Sequence, residues 1–261
     1  GMALNAVHLA GRMGEAPVTL AAERAELRLG ERRFRLAAPA VRIGAGAETT
    51  HLRFATVDGR FDGVPAGGFT GGGGAIANVP LVMSAADGTW ALRDGRLVVG
   101  GALMVADAAE APRFVPLAGR DVALTLAGGR IAVSGRLVHP DKGIFVSDVS
   151  IVHDLGSGAG HADLAVPGIT FDKAFQPDEL TPLTFGVIAD VPAIVRGDGH
   201  LAWTPDGVTS TGAFRTDGTD LAAALGPVSG IAGTIRFTDL LSLESAPGQV
   251  AAVRTINPGI A

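Results

Sequence analysis

Apolar and polar residues alternate with period two along most of this chain, the spacing of strands that turn one face toward a core. Between positions 23 and 36, Ala25, Leu27 and Leu29 fall on one face and Arg24, Glu26 and Arg28 on the other. Gly30-Glu31 marks a turn, after which Phe34 and Leu36 resume the apolar face opposite Arg33 and Arg35. Further on, Val122, Leu124 and Leu126 alternate with Ala123 and Thr125. Gly128-Gly129 then supplies the positive-φ pair of a tight hairpin turn, and Ile131, Val133 and Leu137 return on one face. The same grammar recurs as Trp90-x-Leu92, Asp94-Gly95, Leu97-x-Val99. It recurs again as Leu201-x-Trp203 before Asp206-Gly207, and as Leu52-x-Phe54 before Asp58-Gly59.

Helical signals are few. Residues 220–225, after Thr219, predict a short helix, and 171–180 predict one turn. The glycine-rich run 61–80 reads as a loop or linker, dividing an N-terminal hairpin region (1–60) from a longer C-terminal sheet region (81–261). The predicted fold is mainly β: an elongated, curved antiparallel sheet, groove-like or partly closed, with one or two short helices.

Composition narrows the function. The 261 residues include 38 Gly and 15 Pro, and the net charge is −5. Abundant turn formers without a Gly-X-Y period fit a meandering sheet rather than collagen. No strong basic stripe is present, which argues against nucleic acid as a partner; RRFR at 32–35 is a solvated strand face. The absence of cysteine removes disulfides, thiolate metal sites and Cys nucleophiles. No apolar run is long enough for a transmembrane helix.

The sequence carries no recognisable catalytic or metal-binding motif. His8, His51, His139, His153, His161 and His200 form no HxH or HExxH pattern. His153-Asp154 and His161-x-Asp163 read as outward polar residues. Gly156-Ser157-Gly158-Ala159-Gly160 lacks a strand-to-helix context and reads as a loop, and Arg196-Gly197-Asp198 reads as a hairpin turn. Carboxylates such as Asp178, Glu179 and Asp239 are not paired by the sequence, so a glycosidase is unsupported. No catalytic residue, cofactor or metal is assigned.

A face of such residues needs a cover, because each fully buried Leu, Val or Phe contributes roughly 1.5–3 kcal/mol. A second sheet, a few helices or an apolar ligand would serve. Scarcity of helices weakens the second option. Many inward positions are Ala, Gly or Val, which leaves room beside the strands for an acyl chain, or for close packing of another sheet. Both remain open on composition.

The run from Gly226 to Ile260, GPVSGIAGTIRFTDLLSLESAPGQVAAVRTINPGI, is too idiosyncratic for generic β-sequence. It resembles the C-terminal part of the YdbH family of bacterial cell-envelope proteins, which belongs with the AsmA/TamB-like lipid bridges. WALRDGRLVVGG, LAGGRIAVSGRL and GIFVSDVSIVHDLGSGAGHADL resemble the same family's strand-turn-strand units. The resemblance implies a periplasmic, non-enzymatic piece of a protein anchored in the inner membrane, with an apolar groove for phospholipid moving toward the outer membrane. Groove candidates are Leu27, Leu29, Phe34, Leu36, Val122, Leu124, Leu126, Ile131, Val133 and Leu137. Pro247, Gly248, Gln249, Asn257, Pro258 and Gly259 are expected to shape turns, with Gln249 and Asn257 bonding backbone. Expected partners are phospholipid or another acyl-chain ligand, and envelope proteins or further segments of the same chain. Gly1-Met2 reads as an expression remnant preceded in the full protein by a hydrophobic anchor. The alternatives are a closed β-sandwich interaction module and a module linked to dicarboxylate transport, an older label for the same region.

Overall fold

A computed structural model describes residues 1–13, 16–46, 49–223 and 226–256. In it the alternating segments form strands of one large antiparallel sheet. Strands β1 (Met2–Met13) and β2 (Ala16–Arg28) open the meander. β2 pairs with an interrupted strand made of β3 (Arg33–Ala37) and β4 (Ala40–Ile43). These pair in turn with β6 (Thr56–Arg60) and β5 (Thr50–Arg53), and both meet β7 (Ala66–Ala75). From there β8 (Leu81–Arg93), β9 (Arg96–Asp107), β10 (Leu117–Ala127), β11 (Arg130–Val138), β12 (Phe145–Asp154) and β13 (Gly160–Phe171) each pair with the next. After an excursion that includes β14 (Ile188–Ala189), the sheet continues through β15 (Ala193–Thr204), β16 (Gly207–Ala223) and β17 (Gly226–Asp239). Two short pieces, β18 (Glu244–Ser245) and β19 (Thr255–Ile256), run back along β17. Among the described residues β1 pairs only with β2, so it is a free edge of the sheet.

Among the described residues, helical structure is limited to single 3₁₀ turns at Leu29–Glu31, Pro177–Glu179 and Pro182–Thr184. The turn expected within 171–180 is the second of these, opened by Pro177 behind a Gln176–Glu179 capping box. No helix forms over 220–223. Those residues extend β16, where Leu221 and Ala222 take Val228 and Pro227 as partners. Residues 224–225 lie outside the described set.

Of the glycine-rich run 61–80 expected as a loop or linker, Ala66–Ala75 form β7, a strand paired on both sides. Its glycines serve close approach rather than flexibility. A Cβ on Gly67 would lie 1.8 Å from the Asp58 carbonyl oxygen, so only hydrogen fits between β6 and β7. Two other expected turns are strand interior for the same reason of sheet pairing: Asp58-Gly59 lies within β6, and Arg196-Gly197-Asp198 within β15.

The long strands are bent where alternation changes phase. Two exposed residues in succession, such as Ser84-Ala85 in β8 and Arg120-Asp121 in β10, coincide with register shifts. Ala85 and Asp121 adopt φ 48 and 50, the left-handed geometry of a β-bulge. Similar shifts cross β7, β13 and β16. Bulges raise local twist, and the sheet is rolled accordingly. Asn78, in the β7–β8 connection, lies 2.6 Å from where a Gly158 Cβ would stand in the β12–β13 turn, on the opposite margin of the sheet. Residues from both margins, among them Ile43, Thr50, Asn78, His153 and Gly158, enclose a cavity of about 40 Å³.

Candidate functional site

Residues directly opposite one another in adjacent strands share a face, so register alone assembles the site. One file begins at Met2 and runs through Leu27, Phe34, Gly59, Gly67, Trp90 and Val99. It continues through Leu124, Val133, Ile151, Ala162 and Leu201 to Ser210, crossing the sheet from β1 to β16. Every member but the last is apolar. A parallel file runs through Leu4, Ala25, Leu36, Val57, Phe69, Gly88, Gly101 and Val122. A third, on the other flank, carries Leu92, Leu97, Leu126, Ile131, His153, Gly160, Trp203 and Val208.

One residue along, the opposite face reads Glu26, Arg35, Asp58, Gly68, Thr89, Gly100, Ala123, Ser134, Ser150, Asp163, His200 and Thr211. Ion pairs and polar contacts decorate that side, including Asp163–His200 at 2.7 Å and His161 stacked on His200 at 5.9 Å. The sheet therefore has one continuous apolar face and one polar face. Among the described residues no cluster of three or more His, Cys, Asp or Glu is arranged to hold a metal ion.

Aromatic rings on the apolar face lie over glycines of neighbouring strands. The Trp90 ring covers Gly59 and meets Phe34 with centroids 6.0 Å apart, and its indole N–H donates to the Asp58 carbonyl at 3.1 Å. Trp203 covers Gly160 and donates to His153 Nδ1 at 3.1 Å. Burial holds the His153 pKa below its ordinary value, so the ring is the neutral acceptor that this bond requires. His153, expected to face outward, is 2% exposed. Its place opposite Ile131 puts it on the apolar face, where Trp203 satisfies its nitrogen.

Protein covers part of this face. Past the bulge of β13, Val166, Ile169 and Phe171 join Phe175, Val191 and Ala193 in a buried cluster, against which Leu180, Phe214 and Leu221 pack. Leu240, beyond β17, reaches over Gly199 and Gly212. The connection between β9 and β10 braces the covering segment: Val115 N–H donates to the Leu180 carbonyl, and the Thr181 hydroxyl to the Arg113 carbonyl at 2.6 Å.

That connection is itself pinned by Asp107, whose carboxylate accepts two hydrogen bonds from the Arg113 side chain at 2.7 Å each, plus the N–H groups of Arg113 and Ala109. The Arg113 bonds hold the Asp107 pKa down to about 2 from an ordinary 3.8. A folded-state pKa below the unfolded one stabilises at pH above the unfolded value and loses that contribution as pH falls through the folded value. The contribution is on the order of 2 kcal/mol. Thermal denaturation followed from neutral pH down to about pH 2 should show this loss as one component of the acid limb, and Asp107→Asn should remove that component while lowering stability at pH 7.

Of the residues singled out from sequence, Leu27, Phe34, Leu36, Val122, Leu124, Leu126, Val133 and Leu137 stand half-buried, and Ile131 buried, on strands of the sheet. All but Leu137 belong to the three files, and Leu137 follows Val133 on the same face, opposite Gly119 and Ser147. Leu29 does not belong with them. It sits in the 3₁₀ turn after β2, where the extended backbone has ended, and is 65% exposed. The groove candidates omit Val57, Phe69, Trp90, Val99, Ile151, Leu201 and Trp203, which register places in the same files. Pro247-Gly248 lies in a turn with Gly248 at φ 71. The Gln249 amide bonds both the N–H and the carbonyl of Arg236, standing in for a peptide group beside β17. Asn257, Pro258 and Gly259 lie outside the described residues.

Among the described residues no helix is long and apolar enough to cross a membrane. Comparison with curated proteins and with solved structures gave no match. A family model described as YdbH-like, intermembrane phospholipid transport protein YdbH, matches residues 3–261. The whole length of the rolled sheet is thus accounted for by one family, and the chain belongs to the YdbH-like family of intermembrane phospholipid transport proteins.

Proposed function

We propose that this chain supplies a groove in which phospholipid acyl chains lie against the apolar face while headgroups stay in water. It would do so in the periplasm, without catalysis, as part of a longer protein anchored to the inner membrane. The observation that carries this reading is the uninterrupted apolar file from Met2 to Leu201. Most of its large side chains are only half-buried, so protein leaves them area to offer a ligand. Each methylene moved out of water onto such a surface gains about 0.8 kcal/mol. A file that offers area without polar landmarks holds no lipid at one point, which suits passage along it.

The rival readings fare less well on the same observations. A closed sandwich needs two sheets, and these strands form one. A dicarboxylate needs cationic partners, and the three apolar files present neither Arg nor Lys. Native mass spectrometry of gently purified protein tests the proposal. Co-purified phospholipid is expected, and its repeated absence from folded protein would contradict the groove.

A further inference from the structure

The groove leaves one feature of the molecule unused: a basic, apolar-tipped margin at the ends of β2, β3 and β6. Arg28, Arg33 and Arg60 are direct cross-strand partners, three like charges abreast. Such an arrangement is destabilising unless counter-charge is supplied. Within the protein it is scarcely supplied. Glu31 lies 3.6 Å from Arg28, but among the described residues no carboxylate comes within 4.0 Å of Arg32, Arg33 or Arg60. Arg93 and Arg96, also cross-strand partners, continue the series at the next hairpin of the same margin.

Beside these arginines the turns expose apolar side chains. Leu29 is 65% exposed, Phe61 44% and Val64 46%. The two turns are neighbours held together by a bond from the Phe61 N–H to the Arg32 carbonyl at 3.0 Å. Exposed apolar side chains occur elsewhere on the chain, but here they stand beside arginines left without a carboxylate among the described residues, and a nucleic acid or free phosphate would engage the arginines alone. A bilayer surface accounts for both features: apolar tips enter the headgroup boundary and arginines meet lipid phosphates. The chain's overall charge of −5 makes this local concentration of cations the more distinct.

We infer that this margin docks on an anionic bilayer surface, with Leu29, Phe61 and Val64 inserted and Arg28, Arg32, Arg33 and Arg60 on phosphates. Docking is independent of what the groove carries, and the test separates the two. Sedimentation with phosphatidylcholine vesicles, with and without about a third phosphatidylglycerol, should show binding only to the anionic set, weakened by salt. The Arg33→Ser/Arg60→Ser variant should bind them about thirtyfold more weakly. The Leu124→Asp/Val133→Asp variant should bind them like the unaltered protein, whatever becomes of its lipid cargo. Phe61→Trp should add fluorescence that brominated acyl chains quench beyond any quenching seen in the unaltered protein, whose Trp90 stands on the groove face, a readout that does not depend on the serine variants folding. Equal binding to both vesicle types, undiminished binding by the serine variant, or no added quenching in Phe61→Trp would each overturn the inference.

Discussion

Aspartate at both Leu124 and Val133 is expected to abolish co-purification of phospholipid while leaving the sheet folded. The two residues are direct partners on β10 and β11 in the middle of the apolar file, both half-buried. A pair of adjacent carboxylates there would have to be desolvated by any acyl chain passing over them, at a cost of several kcal/mol that no methylene repays. The same half-exposure leaves water within reach of the carboxylates when lipid is absent, so far-UV circular dichroism should be unchanged. Thr125→Asp, on the polar face between them in sequence, should retain lipid. Unfolding of the double variant would mean that protein seals the face at this point.

Trp203→Ala is expected to cost about 3–5 kcal/mol, the range for emptying a large aromatic site. Trp203 is 3% exposed, lies over Gly160 and satisfies the buried His153 ring. Removing it leaves a void and an unpaired nitrogen together. For a chain of this size the midpoint of thermal unfolding should fall by roughly 10 °C. Trp203→Phe keeps most of the ring and loses the hydrogen bond, so a loss of about 1 kcal/mol is expected. Equal losses from both replacements would show that the bond, rather than the packing, holds this part of the sheet.

Much of the fold was legible because a strand's period is short and local. Leu124 and Leu126 announce their shared face by spacing, and Gly128-Gly129 announces the turn that brings Ile131 and Val133 back; the structure gives those glycines φ 56 and 79. What spacing does not contain is register between distant strands, and so the lateral file from Met2 to Leu201 emerged only with the pairing. Glycine misled for a related reason. At Gly67 and Gly197 it answers close approach of a neighbouring backbone, which depends on strands far along the chain, whereas at Gly95 it answers a local turn. Leu29 continued the alternation by one residue beyond the point where Arg32 N–H closes the turn on its carbonyl. The signal for bending was present as doublets of exposed residues, Ser84-Ala85 and Arg120-Asp121, but its meaning required the register shifts beside them. The buried cluster around Phe175 had no signature, because its covering segment is irregular and owes its place to Gln176, Glu179 and Thr181 bonds.

Transport along this sheet requires that fatty tails touch the Leu124 face. Photocrosslinking amino acids placed at Leu124, at Val133 and at Thr125, irradiated in cells, address it directly. Phospholipid adducts at positions 124 and 133 and none at 125 are predicted. Adducts at 125 alone, or to protein at all three positions, would contradict it.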